Sequence, residues 1–139
     1  MDTQKKFTAD TTYSRGDLIG KIPVDRISKM ATKYTVQLNQ DCHLHIKEPY
    51  CYLNHSCDPN AYLDVDNLRL DAVKHIEAGE SVTFFYPGTE WEMFEPFECL
   101  CGSTNCLKLV KGSKYSTNYD FKCSSWVKSK IRENELNIL

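Results

Sequence analysis

The sequence lacks the features that would place it in several large functional classes. No apolar run among its 139 residues approaches the roughly 18 that a membrane span needs, so no membrane partner is expected. Met1 to Asp10 is polar and holds no apolar core of the kind that directs a chain to secretion. That points to an intracellular protein, nuclear or cytoplasmic. Positive charge is not in excess: 17 Lys and Arg stand against 19 Asp and Glu, a net charge of -2. With a pI near 6.1, direct nucleic-acid binding is not expected. No glycine falls before Gly16, and there is no internal repeat or low-complexity segment. Hydrophobic residues at 41% and charged residues at 26% are ordinary for a globular chain. The length fits one domain with a core of its own. Cysteine is what the chain has in quantity: 7 residues, an odd number. Structural disulfides are disfavoured in a reducing compartment, so these thiols are expected to be metal ligands, core residues or reactive groups.

Hydrophobic patterning predicts a mostly β domain that ends in a helix. Tyr34, Val36 and Leu38 alternate with Lys33, Thr35 and Gln37, the pattern of a half-buried strand. Leu68, Leu70 and Ala72 alternate with Arg69 and Asp71 in the same way. Ser81 to Tyr86 is rich in β-branched and aromatic residues and is expected to be a strand closed by Pro87-Gly88. Trp91, Met93, Phe94 and Phe97 form an aromatic cluster in the sequence. From Ser124 to Leu136, Trp126, Val127, Ile131 and Leu136 approximate one helical face. Cys51 to Asn60 is dense in turn formers and is expected to be irregular.

Cys99-Leu-Cys101-Gly-Ser-Thr-Asn-Cys106 carries the strongest chemical signal in the residue types. Alternate side chains of an extended segment point the same way, so Cys99 and Cys101 can reach one ion. The Gly102 to Asn105 run allows the reversal that returns Cys106 to it. A tetrahedral Zn²⁺ needs a fourth ligand. Spacing leaves Cys57 and Cys123 both open for that place, with Cys42 and Cys51 weaker. Four thiolates around Zn²⁺ carry a net charge of -2, which Lys108 and Lys111 are placed in sequence to offset.

Asn54-His-Ser-Cys-Asp-Pro-Asn60, Ala78-Gly-Glu-Ser-Val-Thr-Phe-Phe-Tyr86 and the cysteine segment occur in one order and at a spacing that resembles a SET-domain protein-lysine methyltransferase with a post-SET zinc motif. The likeness is greatest to the short stand-alone SET proteins. The resemblance covers roughly residues 50–112. It implies a SET-domain β-clip with a knot-like crossing, divided as residues 1–95 (SET domain), 96–112 (zinc segment) and 113–139 (C-terminal extension, helical). It further implies S-adenosyl-L-methionine as cofactor and one structural zinc. Asn54 and His55 are implied to hold the cofactor through backbone and amide groups, with Leu53 and Tyr86 beside them. Tyr86 is implied to be the catalytic tyrosine, and Phe84 and Trp91 to line the substrate channel. By the same likeness the fourth zinc ligand is Cys57, joining Cys99, Cys101 and Cys106. The implied substrate is the ε-amine of lysine in a protein or peptide, a histone tail among the candidates.

The residue types suit that chemistry. A lysine must be neutral to accept a methyl group, yet its free pKa is about 10.4. A narrow apolar channel and a nearby positive sulfur both lower it. A strong protein base is not required, and no residue stands out as one. The chain also departs from the family's pattern. Lys5-Lys-Phe-Thr-Ala9 occupies the place of the family's first glycine motif, Cys51-Tyr52 replaces its Arg-Phe, and Phe85 replaces the Asp before the tyrosine. These changes predict a rebuilt cofactor contact or a lowered affinity. Two other functions fit the same residues: a catalytically weak or inactive SET-like, zinc-stabilised binding module, and a methyltransferase acting on a small-molecule amine.

Overall fold

The computed structural model describes residues 5–115 and 122–138. Short strands, linked by tight turns, build three small antiparallel sheets and one parallel pair. Strands β1 (Leu18–Lys21), β6 (Ala61–Asp64) and β7 (Arg69–Ala72) form one sheet with β7 in the middle. Strands β2 (Val24–Ser28), β3 (Thr35–Asn39) and β4 (Cys42–Ile46) form another around β4. Strands β5 (Asn54–His55) and β8 (Thr83–Phe84) run parallel, and β9 (Phe97–Glu98) pairs with β10 (Leu109–Val110) antiparallel. Helix α1 spans Ser125–Ile138. The chain is therefore mostly β with a C-terminal helix.

The alternation expected from Leu68 holds over 69–72, while Leu68 itself falls in the preceding turn with φ +52°. Leu70 and Ala72 are buried, while Arg69 and Asp71 face outward and pair with each other at 2.8 Å. They join Ile22, Leu44, Ile46, Leu63, Val65, Ile76, Val82 and Phe84 in one core, on which the parallel pair sits. Other expectations shift. β3 is not half-buried: Thr35, Val36 and Gln37 are all buried. The reason is a long-range one, because residues 90 and 91 cover its second face. The Gln37 N–H donates to the Glu90 carboxyl at 3.1 Å, and Gln37 Oε1 accepts the Trp91 N–H at 3.3 Å. The predicted strand at 81–86 shrinks to β8, since Tyr86, Pro87 and Gly88 turn into a single 3₁₀ turn. The helix forms as expected, and the Ser124 hydroxyl caps it by accepting the Val127 N–H at 3.2 Å. Its apolar face is narrower than predicted: Val127 is fully buried while Leu136 is exposed.

The segment after Tyr86 is held from the far end of the chain. Ser113 N–H and Oγ both donate to the Glu90 carbonyl, at 2.9 and 3.1 Å. The Met93 N–H donates to the Lys111 carbonyl at 2.7 Å, and Ser124 N–H to the Gly88 carbonyl at 2.9 Å. Gly112 makes this clasp possible. Its φ is +123°, and a Cβ there would collide with the Trp91 carbonyl. Replacing Gly112 with Ala is expected to cost about 1–3 kcal/mol from strain and the displaced clasp. A lower urea midpoint in circular dichroism checks this.

Candidate functional site

The parallel pair brings together two segments nearly thirty residues apart. Asn54 stands opposite Thr83 and His55 opposite Phe84. Asn60 locks the pair from the side: its Oδ1 accepts the Thr83 N–H at 2.9 Å, and its Nδ2 donates to the Ser81 carbonyl at 2.9 Å. His55 is buried with both ring nitrogens in use. Nδ1 accepts the Tyr86 N–H at 3.1 Å, which leaves the proton on Nε2, and Nε2 lies 3.2 Å from Cys57 Sγ as its donor. Burial lowers the His55 pKa to about 4, so the ring is neutral near pH 7.

Tyr86 leaves this pair with its hydroxyl donating to the Leu53 carbonyl at 2.5 Å. Burial pushes the phenol well above its ordinary value. Tyr86 lines a narrow cavity of about 60 Å³, with Tyr34, Tyr50, Leu53, Phe84 and Phe97 among the walls. A second cavity, of about 270 Å³, lies against Cys57, Tyr62, Asn105 and Leu107. Leu63, Phe84 and Thr89 line both.

The other residues singled out in the sequence fall around this centre. Asn54 is half-buried, and its amide reaches the Lys5 carbonyl at 3.5 Å. Lys5 in turn lies over the Tyr52 ring, 4.8 Å from its centroid. Trp91 lines neither of the two cavities. Its backbone is tied to Gln37, and Lys130 of α1 sits 5.7 Å from its ring centroid. The aromatic run therefore splits: Phe97 joins the Tyr86 cavity, and Phe94 lines it while remaining 59% exposed. Glu90, which no motif in the sequence singled out, also lines that cavity and is only 7% exposed. Its signal was an acidic residue set four positions after Tyr86 inside an aromatic stretch.

Cys57, Cys99, Cys101 and Cys106 converge, with their sulfur atoms within 4.8 Å of one another. Tetrahedral Zn²⁺ with Zn–S of about 2.3 Å would set its sulfurs about 3.8 Å apart. Cys57 and Cys99 are 3.9 Å apart, so the donor set fits such an ion. The turn that closes the cluster uses Gly102 at φ +75° and a Cys106 N–H to Ser103 carbonyl bond of 3.2 Å. The Leu107 N–H donates to Cys57 Sγ at 3.3 Å, and Asn105 Nδ2 donates to the Cys57 carbonyl at 3.2 Å. N–H groups of Leu107 and His55 thus face the sulfur charge. Lys111 instead lies over the Tyr115 ring at 5.1 Å. Burial pushes the Cys57 thiol up to about 12, while the Ser103 hydroxyl draws exposed Cys101 down to about 5.

Residues 4–87 match the SET-domain family model. The chain belongs to the SET-domain family. It is 37% identical over 101 residues to the methyltransferase flvH of Aspergillus flavus, covering 71% of this chain and 57% of that protein. It is 36% identical over 80 residues to the H3 lysine-36-specific histone-lysine N-methyltransferase of Emericella nidulans, covering 53% of this chain and 8% of that one. The chain thus spans little over half of the first relative and a small part of the second. The crystal structure of KRYPTONITE with mCHG DNA and SAH superposes with a TM-score of 0.57 at 18% identity, over 73% of this chain and 26% of that one. A structure solved to explain product specificity in histone lysine methyltransferases superposes with a TM-score of 0.54 at 21% identity, over 74% of this chain and 50% of that one. At these identities the likeness is one of fold.

The cysteine cluster lies just beyond the SET-domain match, apart from Cys57, which lies inside it. One ion would therefore tie the SET domain to the segment that follows. Metal analysis of the purified protein is expected to give one zinc per chain. Cys57→Ser is expected to lose it and Cys123→Ser to keep it, since Cys123 lies outside the cluster.

Proposed function

We propose that this SET-domain protein transfers a methyl group from S-adenosyl-L-methionine to the ε-amine of a lysine in a protein substrate, with histone tails the first to try. The observation that carries the reading is the Tyr86 hydroxyl, held on the Leu53 carbonyl in the wall of an aromatic cavity beside Asn54-His55. The relatives named as histone lysine methyltransferases support the substrate class. A nuclear or cytoplasmic setting accords with it. Residues 1–95 then act as the SET unit, 96–112 as its zinc segment and 113–139 as the extension that clasps it.

The cofactor supplies an electrophilic methyl group on a cationic sulfur. The chain fits such a group: the Leu53 carbonyl and Tyr86 hydroxyl oxygens offer electron density to a positive charge beside the Tyr34, Tyr50, Phe84 and Phe97 side chains. Asn54, His55 and Leu53 would hold the cofactor through backbone and amide groups. The His55 ring is not free to do so, because both of its nitrogens are already bonded. Tyr86 orients the amine with its hydroxyl oxygen. Phe84, which lines both cavities, limits the room for the substrate, and Trp91, which lines neither, would meet the substrate only outside them. Desolvation beside these rings would lower the pKa of the target amine and keep its lone pair available. Alignment of this kind can supply a large part of a rate enhancement. A zinc held by Cys57, Cys99, Cys101 and Cys106 would have no open position and would be structural.

The test is methyl transfer followed by mass spectrometry, with labelled cofactor, an H3 tail peptide, intact histones and a free primary amine in parallel. Gain of methyl on lysine supports the reading. Transfer to the free amine alone moves the substrate to small molecules, and no transfer by a folded, zinc-loaded protein overturns both. Tyr86→Phe is expected to lower kcat by roughly 100- to 1,000-fold, because it removes a preorganised polar contact to the reacting groups. Its thermal midpoint is expected to stay close to that of the parent, since the lost bond is a single hydroxyl contact.

A further inference from the structure

Glu90 is a carboxyl group placed where an apolar wall is expected. It lines the Tyr86 cavity and is 7% exposed. Both hydrogen bonds it accepts go to one oxygen: the Gln37 N–H at 3.1 Å and the Thr89 hydroxyl at 2.8 Å reach Oε2. Among the described residues no hydrogen bond is made to Oε1. The one sealed side-chain polar atom without a partner among them is His43 Nδ1, so Oε1 is not sealed, and Glu90 lines the cavity. No cationic side chain pairs with Glu90 among the ion pairs of the described residues. A buried carboxyl with one oxygen fixed and one free is an acceptor positioned for a ligand, since burying a carboxyl group without a partner is costly.

Resting on the methyl-transfer reading, we propose that Glu90 receives the target amine as its cation and takes its proton. The N–H bond of the entering ammonium breaks, and an O–H bond forms at Oε1. The carboxylate becomes a neutral acid, and the amine keeps the electron pair it needs to attack. The proton passes to water when the site next opens. The corresponding substrate class is a primary alkylammonium, which a lysine side chain presents.

The groups around Glu90 are compatible with this role. From its own turn come Tyr86, whose phenol is held neutral, and the Thr89 hydroxyl. β3 contributes the uncharged Gln37. The 3₁₀ turn Ser113–Tyr115 contributes Ser113 to the Glu90 carbonyl, while Lys114 of that turn pairs with Glu92 at 2.7 Å. From α1, Lys130 is taken up by the Trp91 and Trp126 rings. Lys33, Glu95, Tyr34, Tyr50 and Cys51 also face the cavity. Burial raises the Glu90 pKa to about 8, between the ordinary carboxyl and lysine ranges. That is the range in which a group can take a proton from a desolvated ammonium near neutral pH.

Glu90→Gln keeps the shape and an oxygen for Gln37 and Thr89, and removes the charge. Its rate at pH 8 is expected to fall roughly 100-fold or more, the usual contribution of a general base. The parent's rate should rise as pH passes about 8, and the variant's rise should move toward the pKa of the amine itself. An unchanged thermal midpoint shows that the fold is intact. Glu90→Asp, which keeps the acid but retracts it, is expected to fall between the two. An equal rate and an equal pH profile in Glu90→Gln overturn the proposal. If the parent transfers no methyl at all, the functional reading fails and calorimetry with n-pentylamine at pH 9 still decides about Glu90. Binding roughly tenfold tighter to the parent than to Glu90→Gln supports it, and equal or absent binding overturns it.

Discussion

The site hangs on one imidazole. His55 joins the backbone of Tyr86 to the sulfur of Cys57, and it does so from inside the core, with each ring nitrogen committed to one partner. A buried polar group of this kind is costly unless fully bonded, and once bonded it fixes both neighbours in direction as well as distance. The neutral ring suits this duty. A protonated ring would present two donors, lose the acceptor that holds the Tyr86 N–H, and place a charge among Phe85, Tyr86 and Phe97. Burial opposes that charge, so the linkage survives across the ordinary pH range.

This tie couples two parts that look separate in the chain. Cys57 lies two residues beyond His55, and the other three cysteines lie more than forty residues on. An ion held by all four would tie the turn at 99–106 to β5, and the same turn brings Leu107 to Cys57 and the second cavity. Tyr86 is then held at three points: its N–H by His55, its hydroxyl by Leu53, and its carbonyl by Thr89. The strands that carry these groups are only two residues long, too short to be rigid alone. Their precision comes from side-chain bonds, Asn60 among them, and from the clasp of 111–115 and 122–124 on the segment after Tyr86.

Much of this was legible in residue types and spacing. The three cysteines at 99–106 announced an ion site, and the likeness to the SET family added Cys57, which the sulfur positions match. Leu70 and Ala72 announced their strand because their neighbours lie in the same local pattern. The rest depended on partners far along the chain. Gln37 looked like the outer face of a strand, yet it is buried by residues more than fifty positions later. Tyr86 looked like the end of a strand, but Pro87 cannot donate to a ladder and Gly88 passes too close to the Lys122 carbonyl for a side chain, so the backbone turns instead. The aromatic run at 91–97 looked like one cluster, yet Phe94 and Phe97 line the Tyr86 cavity while Trp91 turns to Lys130 of α1.

Glu90 was invisible for the same reason, and it alters the chemistry open to the site. A SET-type site can let the proton leave to water, and nothing in the sequence suggested otherwise. The titratable groups near Tyr86 bear this out in part: His55 has no free nitrogen, burial raises Cys51, and a neutral phenol is a poor acceptor. Glu90 differs because it lines the cavity and, among the described residues, its second oxygen accepts no hydrogen bond. A cationic methyl donor and an ammonium repel each other in a low-dielectric wall. A carboxylate there offsets the repulsion as the amine enters, and once protonated it no longer holds the amine as an ion pair. The same group therefore favours admission of the charged form and release of the neutral, reactive one.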